Sequence, residues 1–220
     1  MNYLKTIPIL HNGIFIYDLD INNSDINNYL NINFFDVIHN PNESKHSYIT
    51  KSKSVLNDLP NLKNEILKAI NHLIKDTLKT KTDFSIHNSW GTQTLPNGFS
   101  SSHTHSNSWI SGVYYPSSNE NFNIKFYNDH LNQFYSMPSE YNIYNSKEWL
   151  ITPKKNQLIL FFSNLRHKIL FNKSNEKRYS IAFNVLPNGT FGVGDSKVNF
   201  KYWQLLIIKI VSFVVCQRKI

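Results

Sequence analysis

Cysteine is almost absent. Cys216 is the only one in 220 residues, which excludes an internal disulfide framework and any thiolate-rich zinc site. A metal would have to be held by nitrogen and oxygen ligands, and a reducing cytoplasm suits such a chain. Arginine is nearly as scarce, confined to Arg166, Arg178 and Arg218, although the formal charge is +8. The basic excess is lysine, scattered through a sequence rich in Asn, Ile, Lys and Tyr. A+T-rich coding gives that usage by itself, so the charge does not argue for a nucleic-acid partner. No secretion signal is readable, because Met1-Asn2-Tyr3-Leu4-Lys5-Thr6-Ile7-Pro8 lacks a long apolar core and a small-residue cleavage site. The longest apolar run, YWQLLIIKIVSFVV from Tyr202 to Val215, falls short of the roughly 20 residues that span a bilayer. It is expected to pack on the domain as a terminal helix or strand. The alternative is an interfacial membrane anchor flanked by Lys201, Arg218 and Lys219.

What the chain does carry is apolar pattern. Hydrophobic residues make up 40% of it and aromatics 14%, enough for one sizeable core, so one domain over residues 1–200 is expected, followed by the apolar tail 201–220. An opening strand is readable at Gly13-Ile14-Phe15-Ile16-Tyr17, then an Asn-rich stretch without period and a short apolar patch at Phe34-Phe35-Asp36-Val37-Ile38. From Pro60 to Leu78 the apolar residues Leu62, Ile66, Leu67, Ile70, Leu73, Ile74 and Leu78 recur at three and four. This predicts an amphipathic helix over about 60–79, with Asp58 as its cap and Pro60 in its first turn. The chain then turns to β. Phe84 to Thr94 alternates, with Phe84, Ile86, Asn88 and Trp90 on one face, and further strands are predicted at Ser108 to Tyr115, Ile124 to Tyr127, Gln157 to Phe162 and Arg178 to Val185. Asn128 to Glu148 reads as a long loop of the kind that covers a site. Short strands at irregular spacing predict a double-sheet jelly roll over about 83–194 with flanking helices.

Within that β region stands His103-Thr104-His105. Side chains at i and i+2 of an extended strand share a side, so one strand presents two imidazoles to a single metal. His167, which follows the apolar run Gln157 to Phe162, offers a third. The pair alone is equally compatible with an exposed Ser-rich loop (Ser100, Ser101, Ser102, Ser106). The remaining histidines, His11, His39, His46, His72, His87 and His130, lack comparable partners and read as surface or structural.

The ordered set His103-Thr104-His105, Ser111-Gly112-Val113-Tyr114-Tyr115, His167 and Arg178-Tyr179-Ser180-Ile181-Ala182-Phe183-Asn184 resembles the iron(II)- and 2-oxoglutarate-dependent oxygenase superfamily, in particular a group common in bacteria and phages. The resemblance covers about Asp83 to Val185. It implies a double-stranded β-helix (jelly-roll, cupin-like) core, Fe(II) held by His103, His105 and His167, and 2-oxoglutarate and O2 as cosubstrates. It further implies a hydroxylase working in the cytoplasm of a bacterial or phage-infected cell. A cosubstrate that chelates iron through its keto acid end projects a second carboxylate into the protein, where burial is costly unless a cation meets it. Arg178 is the partner so implied, with its planar two-hydrogen-bond fork. It follows His167 by eleven residues, a spacing that suits two adjacent antiparallel strands. Ser180 shares its side, and Tyr114 or Tyr115 could add a phenol, since strand alternation turns only one of them inward.

The superfamily more often has His-x-Asp, whereas this chain has His105; Asp129 or Glu120 is an alternative acid ligand, though neither sits at the usual spacing. Nucleic-acid-base dealkylases of the superfamily carry a second arginine six residues after the first. Asn184 stands there, which argues against that branch. A protein side chain is the default substrate, with a small metabolite as the other option. Two competing functions remain: a jelly-roll module that binds without turnover, and a cosubstrate-independent cupin-type enzyme. The second is weakened because Ser108, Trp109 and Ile110 occupy the region where such enzymes place an acid.

Overall fold

The structure, a computed structural model, describes residues 12–32, 35, 37–38, 44–117, 122–129, 138–143 and 145–200. Expectations for the N-terminal octapeptide, His11, His39, Glu120, His130 and the apolar run 202–215 lie outside these residues. Among the described residues no helix is long and apolar enough to cross a membrane.

In chain order the elements are β1 (Ile14–Asp18), α1 (Ser24–Ile32), β2 (Val37–Ile38), β3 (Ser44–Ile49), α2 (Val55–Asp58), α3 (Pro60–Asn71), a π-helical turn (His72–Thr77), β4 (Asp83–His103), β5 (Ile110–Tyr115), β6 (Ile124–Tyr127), β7 (Glu148–Ile151), β8 (Gln157–Phe162), β9 (His167–Ile169), β10 (Arg178–Phe191) and β11 (Val198–Phe200). The strands pair antiparallel in one curled sheet ordered β1-β8-β5-β10-β4-β9-β6-β7, the double-stranded β-helix expected from the sequence. The predicted helix is α3 extended by the π-turn, in which the Leu78 N–H bonds the Leu73 carbonyl five residues back. Pro60 opens it as foreseen, but Leu59 occupies the cap position. Asp58 lies in α2 and accepts a hydrogen bond from the Tyr29 hydroxyl at 3.0 Å. The helix α1, in the Asn-rich stretch, has no counterpart in the sequence reading: only Ile26 and Leu30 of its nine residues are buried, too few to leave a period.

Strand alternation divides the core in two. Ile110 and Tyr114 of β5, Leu158 and Leu160 of β8, and Ile181, Phe183 and Val185 of β10 pack against Leu56, Leu62, Ile66, Ile70 and Leu73 of the helices. The residues between them, Val113 and Tyr115, then Ile159 and Phe161, join Phe122, Ile124, Phe126 and Leu165 inside the curl. Gly112 falls on the helix side, where a Cβ would collide with Phe183 and Leu160, so the glycine lets β5 lie close.

Two irregularities shape β4. Its pairing with β10 shifts between Asn184 and Val185, Asn88 facing Asn184 and Ile86 facing Val185. The extra residue, His87, turns the strand over. Phe84 and Ile86 therefore pack on the helix-side cluster while Trp90 lines the interior, and the single face expected for Phe84 through Trp90 is broken. Further on, Asn97 takes a left-handed φ of 59°, and a Cβ on Gly98 would lie 2.6 Å from the His46 carbonyl oxygen. Asparagine and glycine tolerate such a bend. The bend carries β4 from its pairing with β10 to its pairing with β9, and both halves of the strand line one cavity.

Candidate active site

His103 closes β4 and pairs directly with His167 of β9. His105 lies just beyond the strand, its N–H bonded to the Ser163 carbonyl at 2.9 Å. The three imidazoles come together: one ligand atom from each lies within 4.8 Å of the others, and among the described residues this is the group that could hold a metal. The His103 and His167 Nδ1 atoms each lie 2.9 Å from the backbone carbonyl two residues earlier, of Ser101 and Leu165. A carbonyl accepts only, so Nδ1 carries the proton and Nε2 keeps its lone pair for a metal. An ion about 2.1 Å from each of three nitrogens holds them roughly 3.0–3.6 Å apart, so the rings would draw together on binding. Phe161 stands edge-on to His167 at 4.7 Å and Trp90 lies 6.0 Å from His105, walling the site with apolar rings.

Asp129 is not part of the cluster. Its carboxylate holds Arg166 through Nε at 2.8 Å and through Nη2. The same guanidinium donates to Ser102 Oγ at 3.0 Å and stacks on Tyr127 at 3.9 Å. This clamp fastens the residues next to His103 and His167 to the start of the stretch predicted as a loop, whose base is closed by the Asn128 N–H on the Lys147 carbonyl at 2.8 Å.

The cavity beside the histidines measures about 590 Å³ with its open mouth. Arg178 and Ser180 line it from β10, facing Thr94 and Thr92 of β4. His167 and Arg178 do not lie on mutually adjacent strands as the spacing suggested: β9 and β10 each pair with β4, and the bend in β4 brings them to one cavity. The Arg178 guanidinium is fully enclosed, 4.6 Å over the Tyr115 ring and packed on Phe122. Its Nη2 and the Tyr115 hydroxyl are buried without a hydrogen-bond partner. Burial pushes Arg178 down to about 9, the Tyr115 charge opposing; burial likewise pushes Tyr115 up, the guanidinium opposing. A buried guanidinium that lacks an anionic partner is costly, and an incoming carboxylate would reduce that cost.

Of the two tyrosines, Tyr115 faces the cavity and Tyr114 does not. Tyr114 points to the helix side, where its hydroxyl donates to Asn23 Oδ1 at 2.7 Å and burial pushes its pKa up to about 12. Thr92, Thr94, Trp90 and Phe122 were not foreseen as site residues. The alternation Trp90-Gly91-Thr92-Gln93-Thr94 carried the signal for three of them, while Phe122 had none.

Residues 88–184 match the family model described as "Putative 2OG-Fe(II) oxygenase". This segment is similar to that family. Solved structures agree in fold. HygX from Streptomyces hygroscopicus, solved with nickel, 2-oxoglutarate and hygromycin B bound, is 10% identical at a TM-score of 0.57, over 80% of this chain and 83% of its own. A prolyl hydroxylase from Trichoplax adhaerens, in complex with a hypoxia inducible factor peptide fragment, is 14% identical at 0.55, over 80% and 84%. The epimerase SnoN, in complex with Fe3+, alpha ketoglutarate and nogalamycin RO, is 8% identical at 0.60, over 80% and 79%. No curated protein sequence matches the chain. The superfamily implies Fe(II), 2-oxoglutarate and O2.

Proposed function

We propose that the protein is a 2-oxoglutarate-dependent hydroxylase in which His103, His105 and His167 hold Fe(II), while Arg178, Ser180 and Tyr115 hold the distal carboxylate of the cosubstrate. The observation that carries this reading is the pair of buried, unpartnered donors, Arg178 Nη2 and the Tyr115 hydroxyl, in the cavity that the histidines line. A metal-binding module or a cosubstrate-independent cupin-type enzyme gives these donors no purpose. When bound, Fe(II) with 2-oxoglutarate and O2 supplies the oxidising chemistry, the cosubstrate leaving as succinate and CO2.

The chain's own residues do the rest. The Ser101 and Leu165 carbonyls fix His103 and His167 so that Nε2 faces the metal position. Arg178 and Tyr115 supply a charged and a neutral donor to one carboxylate, and Ser180 beside them adds a hydroxyl. Phe161, Ile124 and Ile169 keep water from the metal's surroundings. The third imidazole in place of a carboxylate leaves the metal site one charge unit more positive and keeps the ligand number.

The test is anaerobic titration of the metal-free protein with Fe(II) and then 2-oxoglutarate, followed by the visible metal-to-ligand charge-transfer band. The parent is expected to bind one Fe(II) and develop the band, and His167→Ala to bind none while keeping its fold. Undiminished Fe(II) affinity in that variant would overturn the metal assignment.

A further inference from the structure

Antiparallel partners that face each other across a sheet put their side chains on the same side. From His103, the register runs to His167 on β9, from His167 to Phe126 on β6, and from Phe126 to Trp149 on β7. These four residues form one row, so Trp149 stands on the face that carries the metal ligands. Two strand spacings separate it from His167, about 10 Å at the usual distance between strands. His167 and Phe126 are buried, but β7 is the last strand of the sheet path and Trp149 is 42% exposed. Among the described residues its indole ends the row that starts at the metal ligands, partly exposed at what would be the rim of the site.

Between Trp149 and His167 the row holds only Phe126, and the cavity around the metal position is lined mainly by uncharged side chains. Trp90, Val113, Ile124, Phe161, Ile169 and Ala182 surround the histidines. Among the described lining residues the sole formal charge is Arg178, four residues along β10 from Ala182, or about 13 Å of strand. With the charge of the bound Fe(II) offset by the two carboxylates of the cosubstrate, a charged group entering from the rim would lose its hydration and meet no side chain of opposite charge. A neutral group with a flat or apolar face loses little and gains an indole to lie against.

We infer that Trp149 is the specificity-determining platform for the molecule to be oxidised, and that it selects an uncharged planar or apolar group beside the reacting carbon. The inference rests on the oxygenase reading, but its probe is separate. In protein labelled with 5-fluorotryptophan, the four tryptophan resonances are assigned with Trp→Phe variants, and benzamide is titrated in with and without Fe(II) and 2-oxoglutarate. Benzamide is expected to shift the Trp149 resonance and leave Trp109 in place. In Trp149→Ala its affinity should fall about tenfold, with the charge-transfer band unchanged, and Trp149→Phe should restore most of it. Benzoate and benzamidine, of the same shape but charged, should bind at least tenfold more weakly when 2-oxoglutarate saturates the Arg178 end. Equal benzamide affinity in parent and Trp149→Ala, no benzamide binding at all, or equal binding of the charged pair overturns the platform. Failure of the band to form in the parent overturns the oxygenase reading, while the benzamide titration of metal-free protein still decides the role of Trp149.

Discussion

On β10 the residues Ile181, Phe183 and Val185 are fully buried against the helices, while Ser180 and Ala182, interleaved with them, face the cavity and Arg178 stands at its end. The strand on β5 does the same, Tyr114 going to the helix side and Tyr115 to the cavity. The helix-side face is apolar, and its tyrosine is satisfied locally, the Tyr114 hydroxyl donating to Asn23 Oδ1 and the Asn23 amide donating to the Pro116 carbonyl at 2.9 Å. The cavity face keeps a guanidinium nitrogen, Arg178 Nη2, and a phenol, Tyr115, without a geometrically sound hydrogen-bond partner among the described residues, although the two groups lie against each other. One face stabilises the protein, and the other holds donors in readiness at a cost that only a ligand offsets.

The comparison breaks most sharply at Phe183. Phe183→Ala removes a fully buried ring from the helix-side cluster and should cost about 3–5 kcal/mol of stability, measured by urea denaturation, with Fe(II) affinity retained in the fraction still folded. On the other face, Arg178→Met should reverse the pattern. Cosubstrate binding should weaken tens to thousands of fold, about 2–5 kcal/mol, whereas the stability of the ligand-free protein should hold or rise because an unpaired buried charge is gone. A loss of stability without a loss of 2-oxoglutarate affinity would mean that Arg178 is a core residue.

The adjacent tyrosines sharpen the contrast with a single oxygen atom each. Tyr114→Phe should cost about 1 kcal/mol of stability and leave 2-oxoglutarate affinity alone. Tyr115→Phe should leave stability within about 0.5 kcal/mol and lower that affinity by up to about tenfold. The smallest effect belongs to His87, the extra residue at the turn of β4. Burial holds its pKa below the ordinary 6.5. The unfolded chain therefore binds the proton more readily, and stability should be full above pH 6.5 and decline as pH falls toward the folded value. Replacing His87 with Gln should flatten that part of a pH series of denaturation midpoints, and an unchanged slope would remove His87 as the cause.

The amino-acid sequence by itself determined the strands β6 and β8 to the residue, the amphipathic helix after Pro60 though not its π-helical end, and the histidine and arginine motifs. These rest on local periods and spacings, which a chain carries without its partners. It also determined that one of Tyr114 and Tyr115 faces inward, because alternation allows nothing else. Tertiary structure alone decided which one, since that depends on the side of β5 on which the helices lie. It alone turned β4 over at His87 and bent it at Asn97, two local departures that carry no period and that place Arg178 and the histidines around one cavity. It brought Asp129 to Arg166 instead of to the metal position and Phe122 under the guanidinium, contacts between segments far apart in the chain. Trp149 joined the row of the metal ligands in the same way, because register between strands is set by the packing of the whole sheet and not by any one strand.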